Sequence, residues 1–433
     1  MIPRYSRPEM ARVWSEENKF ASWLKVEIAA VQAWADLGAV PREDADKIAR
    51  NASFDLADVE RYEREMHHDM NAFLRSVSDS LGEEGRWVHL GLTSYDTEDP
   101  ATALRMVEAA DILLRDLEAL DTAIAKRALE HKDTLMMGRT HNMHAEPITF
   151  GLKLLNWLDE VRRDRRRLEA AREDIAVGKL SGPVGSHATV PPELEERVCA
   201  RLGLGVDAVS TQVISRDRHA HFLQTIALIG ASLERFATEI RHLQRSEVGE
   251  AEEPFQKGQQ GSSSMPHKRN PEKCERVCGL ARVLRGNASV AVENVALWHE
   301  RDISNSSAER IVIPDSCLAL DYMLAMFTDI VSGLVVYPER MRENMEITRG
   351  VVFSQRVLLA LVEKGMSRQE GYYVVQRAGH NALDQRRPFR DTIAEEPEVQ
   401  QRLTPAELDA IFDYTYFTRE VDKSFARLGL GEG

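Results

Sequence analysis

From Phe222, the apolar residues Phe222, Ile226, Ile229, Leu233, Phe236, Ile240 and Leu243 follow one another in alternating steps of four and three. A helix stepped in this way carries a narrow apolar stripe that it cannot bury alone, so other helices must pack against it. Phe150, Leu154, Trp157, Val161 and Leu168 repeat the stepping with one polar gap. A third run, Val277, Leu280, Leu284, Ala291, Val295 and Trp298, misses one step near Asn287. Two further stretches, roughly 101–131 and the less regular 306–334, continue the theme. Five long helices with such seams imply a helical bundle, and seams on several faces favour assembly between subunits. Alternating strand patterns are nearly absent, and the short Val335-Val336-Tyr337-Pro338 reads as a turn. The expected fold is all-α in three helical domains: an N-terminal domain over 1–92, a central long-helix bundle over 93–345 and a C-terminal domain over 346–433.

The charge balance narrows the function. Lys and Arg number 56 against 70 Asp and Glu, a formal net charge of −14. That excludes a general nucleic-acid or anionic-membrane binder, which needs a basic face. Local basic pockets for small anions remain compatible. Four cysteines, Cys199, Cys274, Cys278 and Cys317, are too few for a disulfide scaffold. Cys274 and Cys278 share a helix face, but no second ligand pair follows, so buried reduced thiols are expected. The first residues contain no apolar signal core, and no apolar run approaches the roughly 20 residues of a membrane span. A cytoplasmic protein without membrane association is expected.

The most unusual segment is 254–271, PFQKGQQGSSSMPHKRNP, lying between two long helical patterns. Its Gly258, Gly261 and three serines make a loop. Asn270 then suits a helix N-cap and Pro271 the first turn. A helix N-terminus with free N–H groups beside Lys268 and Arg269 is a ready carboxylate site. The same composition fits a flexible surface linker, but its position between two long helices favours a lid or binding loop.

The run Gly261 to Pro271 resembles the signature of the fumarase/aspartase superfamily, and its His-Lys-Arg-Asn-Pro ending is most similar to the adenylosuccinate lyases. Other segments carry the same resemblance: RYSRPEM from Arg4, His68-Asp69, WVHLGLTS from Trp87, MGRTH from Met137 and HAEPITFGLKL from His144. STQVISRDRHA from Ser210, ALWHERDIS from Ala296, SSAER from Ser306 and FSQRVLLALVEKGMSR from Phe353 extend it over essentially the whole chain.

The resemblance implies β-elimination of fumarate from adenylosuccinate to give AMP, and from SAICAR to give AICAR, with no cofactor and no metal. Such chemistry needs one base, one acid and several cationic or N–H donors for the charge that builds on a carboxylate. By resemblance Ser262 is the base and His141 the acid, with His68 orienting His141 or holding a carboxylate. Lys268 and Asn270 would hold the succinyl carboxylates together with Thr93 and Ser94, and Glu275 would lie near His141. Arg4, Tyr5, Arg301, Ser306 and Arg310 would contact phosphate and ribose, and Gln212 the succinyl group or the base. His67, Asp69, His89 and Ser263 complete the implied substrate contacts. A serine is a poor base, so it needs N–H groups, Lys268 and a dry loop to favour its oxyanion. His141 and His144 are three apart, a spacing a metal could use, but the HEXXH pattern is absent. The family further implies a homotetramer whose multi-helix core is built from the central bundles, each active site drawing on three subunits.

Several positions depart from the family's usual pattern. His67 stands where an arginine usually precedes His-Asp, and Asn142 where a glycine follows the histidine. Tyr95 and 97–100, Thr-Glu-Asp-Pro, replace a small-Asp-aliphatic-aliphatic-Asp-Thr run after Thr-Ser. His187 and Asn305 also differ. Altered substrate choice and compensated drift are the two readings. Histidine does not replace the fixed fork of an arginine.

Overall fold

The computed structural model describes residues 1–431. Helix dominates. Among the described residues the five longest helices are α1 (Ser94–Glu130), α2 (Phe150–Ile175), α3 (Asp217–Leu243), α4 (Glu272–Glu293) and α5 (Ser304–Ser332). The seams read from sequence face inward: Phe222, Ile226, Ile229, Leu233, Phe236, Ile240 and Leu243 are all buried, as are Phe150, Leu154, Trp157, Val161 and Leu168. The third seam stops early. Helix α4 ends at Glu293, which leaves Val295 and Trp298 outside it, and Trp298 is 77% exposed. Helix α5 corrects the membrane expectation in one respect, since it is long and apolar enough to cross a bilayer. With 61% of its apolar window buried, it reads as a core helix.

The chain divides into two compact units, the first formed by Met1–Ala119, Arg163–Glu234 and Arg276–Met326, the second by Leu120–Arg162, Arg235–Glu275 and Phe327 onward. Each long helix contributes residues to both. This is a different division from three successive segments. The first unit has a core of Phe20, Trp23, Phe73, Leu180, Leu194 and their neighbours. There Phe20 stacks on Phe73 at 5.6 Å and Trp23 meets Phe73 edge-on at 5.5 Å. In the second unit Trp157 stacks on Phe236 at 5.0 Å, and Val357, Leu361, Val374, Phe389 and Ile393 form a separate core.

Strands are few and short, but one pair matters. Leu135–Thr140 (β1) and Met143–Thr149 (β2) form an antiparallel hairpin whose two turn residues are His141 and Asn142. Both have positive φ, 53° and 64°, as the tight mirror-image hairpin turn requires. The glycine usual at position 142 therefore has a backbone reason, and asparagine is among the few residues that tolerate this conformation. The register slips between Met137 and Arg139. At the intervening Gly138 any Cβ would lie 2.5 Å from the Glu146 carbonyl oxygen. The residues Val335–Val336, expected as a turn, pair with Ala251–Glu252. All four cysteines are buried.

Candidate active site

In the first unit the segments expected from sequence to contact substrate are held by buried acids. Asp96 and Lys179 form an ion pair at 2.6 Å, and neither side chain is exposed. Asp96 Oδ2 accepts the N–H of Thr93, and Oδ1 accepts those of Ser181 and Gly182. Lys179 Nζ donates to the carbonyls of Gly182 and Gln212. One ion pair thus fixes the loop before Ser94, the 181–182 turn and the backbone of Gln212. The Gln212 side chain accepts from Arg301 Nη1 at 3.0 Å, and the Arg301 guanidinium lies 3.7 Å over the Tyr95 ring. Tyr95 is buried beside Ser306.

Glu27 has the same tethering role for His89. It accepts the His89 N–H at 2.9 Å, lies 2.7 Å from His89 Nδ1 and accepts the Thr97 hydroxyl at 2.6 Å. Burial lowers the His89 pKa, but the Glu27 carboxylate outweighs that and holds it above its usual value. His89 sits at φ 62°, a conformation this clamp sustains. His68 N-caps the helix Asp69–Asp79, its Nδ1 accepting the Asn71 N–H, and His67 turns the chain before it at φ 54°. Both imidazoles are exposed. Asp69 pairs with Arg310 at 2.7 Å. Burial would raise the Asp69 pKa, but the Arg310 charge holds it below its ordinary value. Arg4 is exposed in a short 3-10 turn, and Tyr5 packs against Tyr322 at 5.5 Å. Of the other departures, His187 also has positive φ, and Asn305 is fully buried and donates to Glu309.

In the second unit the loop wraps around Ser262. Its Oγ accepts the N–H of Met265 at 3.1 Å and of Ser264 at 3.4 Å. Asn270 Nδ2 donates to the Gly261 carbonyl at 2.9 Å, which ties the two ends of the signature together. The N-cap expectation for Asn270 is corrected here. Glu253 accepts the N–H groups of Lys273 and Cys274 at 3.2 and 3.1 Å, so the start of α4 already holds a carboxylate of its own. Lys268, Asn270 and Glu275 line a cavity of about 690 Å³ with Arg241, His242 and Arg245. His242 and Arg245 also line an adjoining cavity with Asn142. His141 is exposed at the tip of the hairpin and Ser263 on the loop surface. Arg139 in β1 forks onto Glu250 at 2.9 and 2.6 Å, and Asn344 adds a bond to the same carboxylate. Buried Glu250 thereby anchors the hairpin that carries His141.

Gly261 has no room for a side chain, since a Cβ would lie 2.2 Å from the Lys268 carbonyl oxygen. Gly261→Ala must push the Lys268–Arg269 backbone away from Ser262. Displacements of about 1 Å at a reacting centre can cost roughly 10²-fold in rate, and kcat of the purified variant is expected to fall by about that factor. A variant with normal kcat would show that this close packing is not used in catalysis.

A family model described as a lyase matches residues 4–286, and one described as the adenylosuccinate lyase C-terminus matches residues 350–428. The adenylosuccinate lyase of Bacillus subtilis is 52% identical over 430 residues, spanning 99% of this chain and 100% of that protein. That of Aquifex aeolicus is 51% identical over 431 residues, covering 99% of both. This chain belongs to the adenylosuccinate lyase family of the fumarase/aspartase superfamily. Among solved structures, a fumarate lyase from Mesorhizobium sp. BNC1 superposes with TM-score 0.91 at 26% identity, covering 99% of each chain. A 3-carboxy-cis,cis-muconate lactonizing enzyme from Pseudomonas putida superposes with TM-score 0.88 at 28% identity, covering 98% of this chain and 96% of that one.

For an adenylosuccinate lyase family member, the motifs read from sequence fall into two groups. The first unit holds Arg4, Tyr5, His67, His68, Asp69, His89, Thr93, Ser94, Gln212, Arg301, Ser306 and Arg310, and the second holds His141, Ser262, Ser263, Lys268, Asn270 and Glu275. The motifs did not reveal Glu27, Lys179, Glu250 and Glu253, which hold those segments in place. Glu27 had one sequence signal, a lone acid in the apolar run Val26-Glu27-Ile28-Ala29.

Proposed function

We propose that the protein eliminates fumarate from adenylosuccinate to give AMP, and from SAICAR to give AICAR, in purine biosynthesis, as a cytoplasmic homotetramer with shared active sites and no cofactor. Ser262 removes the proton from the carbon beside the carboxylate. The C–N bond breaks as the carbon–carbon double bond of fumarate forms, and His141 delivers a proton to the departing nitrogen. The observation that carries this reading is the pair of N–H groups aimed at Ser262 Oγ, which lowers the cost of its oxyanion. Arg301, Ser306 and Arg310 supply the phosphate and ribose contacts, and Lys268 and Asn270 the succinyl contacts. Full-length identity above one half with adenylosuccinate lyases favours this over a specialised succinylated substrate, so the departures near Tyr95 and Asn305 read as local repacking. The reading is tested by following fumarate formation from each substrate with the tetramer confirmed by light scattering. Turnover by the wild type and loss in His141→Ala are expected, while a variant as active as the wild type would remove His141 from the mechanism.

A loop that closes over bound substrate should also be protected by it. Limited proteolysis is expected to cleave within 254–264 in the free protein and to slow when AMP and fumarate are present. Equal cleavage rates would contradict a lid.

A further inference from the structure

The first unit contains a cavity of about 180 Å³ beside Ser306 and Arg310, and Glu98 of α1 points into it. Arg310 is already engaged by two acids, with Nη1 2.7 Å from Asp69 Oδ2 and Nη2 3.4 Å from Glu98 Oε2. Two ionised carboxylates on one guanidinium crowd negative charge against the place where a doubly charged phosphate would dock. A neutral Glu98 relieves that crowding. Asp69 has the shorter contact and the lowered pKa, so it stays ionised. Burial first, then the charge of Asp69, push the Glu98 pKa up to about 7, against the pull of Arg310 and Arg301.

Most of the other charged groups around the cavity are paired with one another, while Arg105 faces both Glu16 and Glu98. On α1 itself, Asp99 is bound by Arg216 at 2.8 Å, and the same guanidinium holds Glu309 of α5 at 3.0 Å. On the helix Glu16–Asp36, Glu16 pairs with Lys19 at 3.2 Å. Arg105, one turn and more along α1, lies over the Trp14 ring at 5.2 Å, and Tyr95 beneath Arg301 stays neutral because burial raises its pKa. Glu98 shares its ion-pair partner Arg310 with Asp69, which holds it more closely, and the Glu98 side chain is 12% exposed.

We propose that Glu98 takes up a proton when the substrate's phosphate docks on Arg310, so that this residue sets the upper pH limit for holding phosphorylated substrate. The inference rests on Arg310 being a phosphate contact. The sign follows from linkage: a phosphate dianion disfavours the carboxylate further, so affinity is full below the pKa of the free site. Affinity then falls by up to about tenfold per pH unit above it. The phosphate's own second ionisation, near 6, acts in the opposite direction and is complete by pH 8.

The test is calorimetric titration of AMP into the full-length protein at pH 8 in two buffers of different ionisation enthalpy. Wild type is expected to take up close to one proton per site, and Glu98→Gln and Glu98→Leu to lose that uptake. In parallel, KM for adenylosuccinate should climb between pH 7 and pH 9 (roughly tenfold per unit at most) in wild type and stay flat in Glu98→Gln. Equal proton uptake in wild type and both variants would overturn the inference. Fumarate release by the same preparations separates the failures: release with unchanged uptake sinks only the role of Glu98, whereas no release sinks the reading it rests on.

Discussion

Ser262→Ala is expected to lower kcat for fumarate release by roughly 10²–10⁴-fold, the range a positioned general base supplies. The alanine removes the only atom at that position able to take a proton. It leaves the loop's other ties intact, because Asn270 still donates to the Gly261 carbonyl and Gln244 to that of Arg269. KM should therefore change little while kcat falls, the signature of an interaction used in the transition state rather than in binding. The N–H groups of Ser264 and Met265 lose their acceptor, but they lie on an exposed loop where water replaces it. A Ser262→Ala protein with wild-type kcat would remove this residue as the base and with it the reason for the two N–H groups.

Lys179→Met is expected to destabilise the protein by about 3–5 kcal/mol, the cost of stranding a buried charge. Asp96 keeps its three backbone N–H partners, which places the effect toward the lower end. The readout is the thermal midpoint, which should fall by several degrees, and a raised KM, because Thr93 and Gln212 are both tied to this pair. Asp96→Asn combined with Lys179→Met should recover much of the midpoint, since it removes both charges. A Lys179→Met protein that melts with the wild type would mean that the pair contributes nothing to the first unit.

The helical seams were legible because burial writes itself into sequence as a period, and Phe222 to Leu243 obeyed it residue by residue. The family motifs were legible because they are local runs. The hairpin carrying His141 was not, since Gly138 and Pro147 interrupt the alternation that marks a strand and a bulge shifts its register. The end of α4 was misjudged because Val295 and Trp298 continue the apolar stepping beyond the helix itself. The holding acids escaped for a different reason. A buried Glu250 or Glu253 looks like any surface glutamate until its partners, up to 111 residues away in sequence for Glu250, are brought beside it. Asn270 shows the same limit, because its cap role was lost to a glutamate 20 residues from the N–H it bonds.

C–N elimination at Ser262 is tested by fumarate release by the purified protein from adenylosuccinate and from SAICAR, measured separately, with Ser262→Ala alongside. Turnover of both substrates by the wild type and its near loss in the variant is the predicted result. A folded protein that releases no fumarate from either, or a variant that releases it at the wild-type rate, would contradict the account.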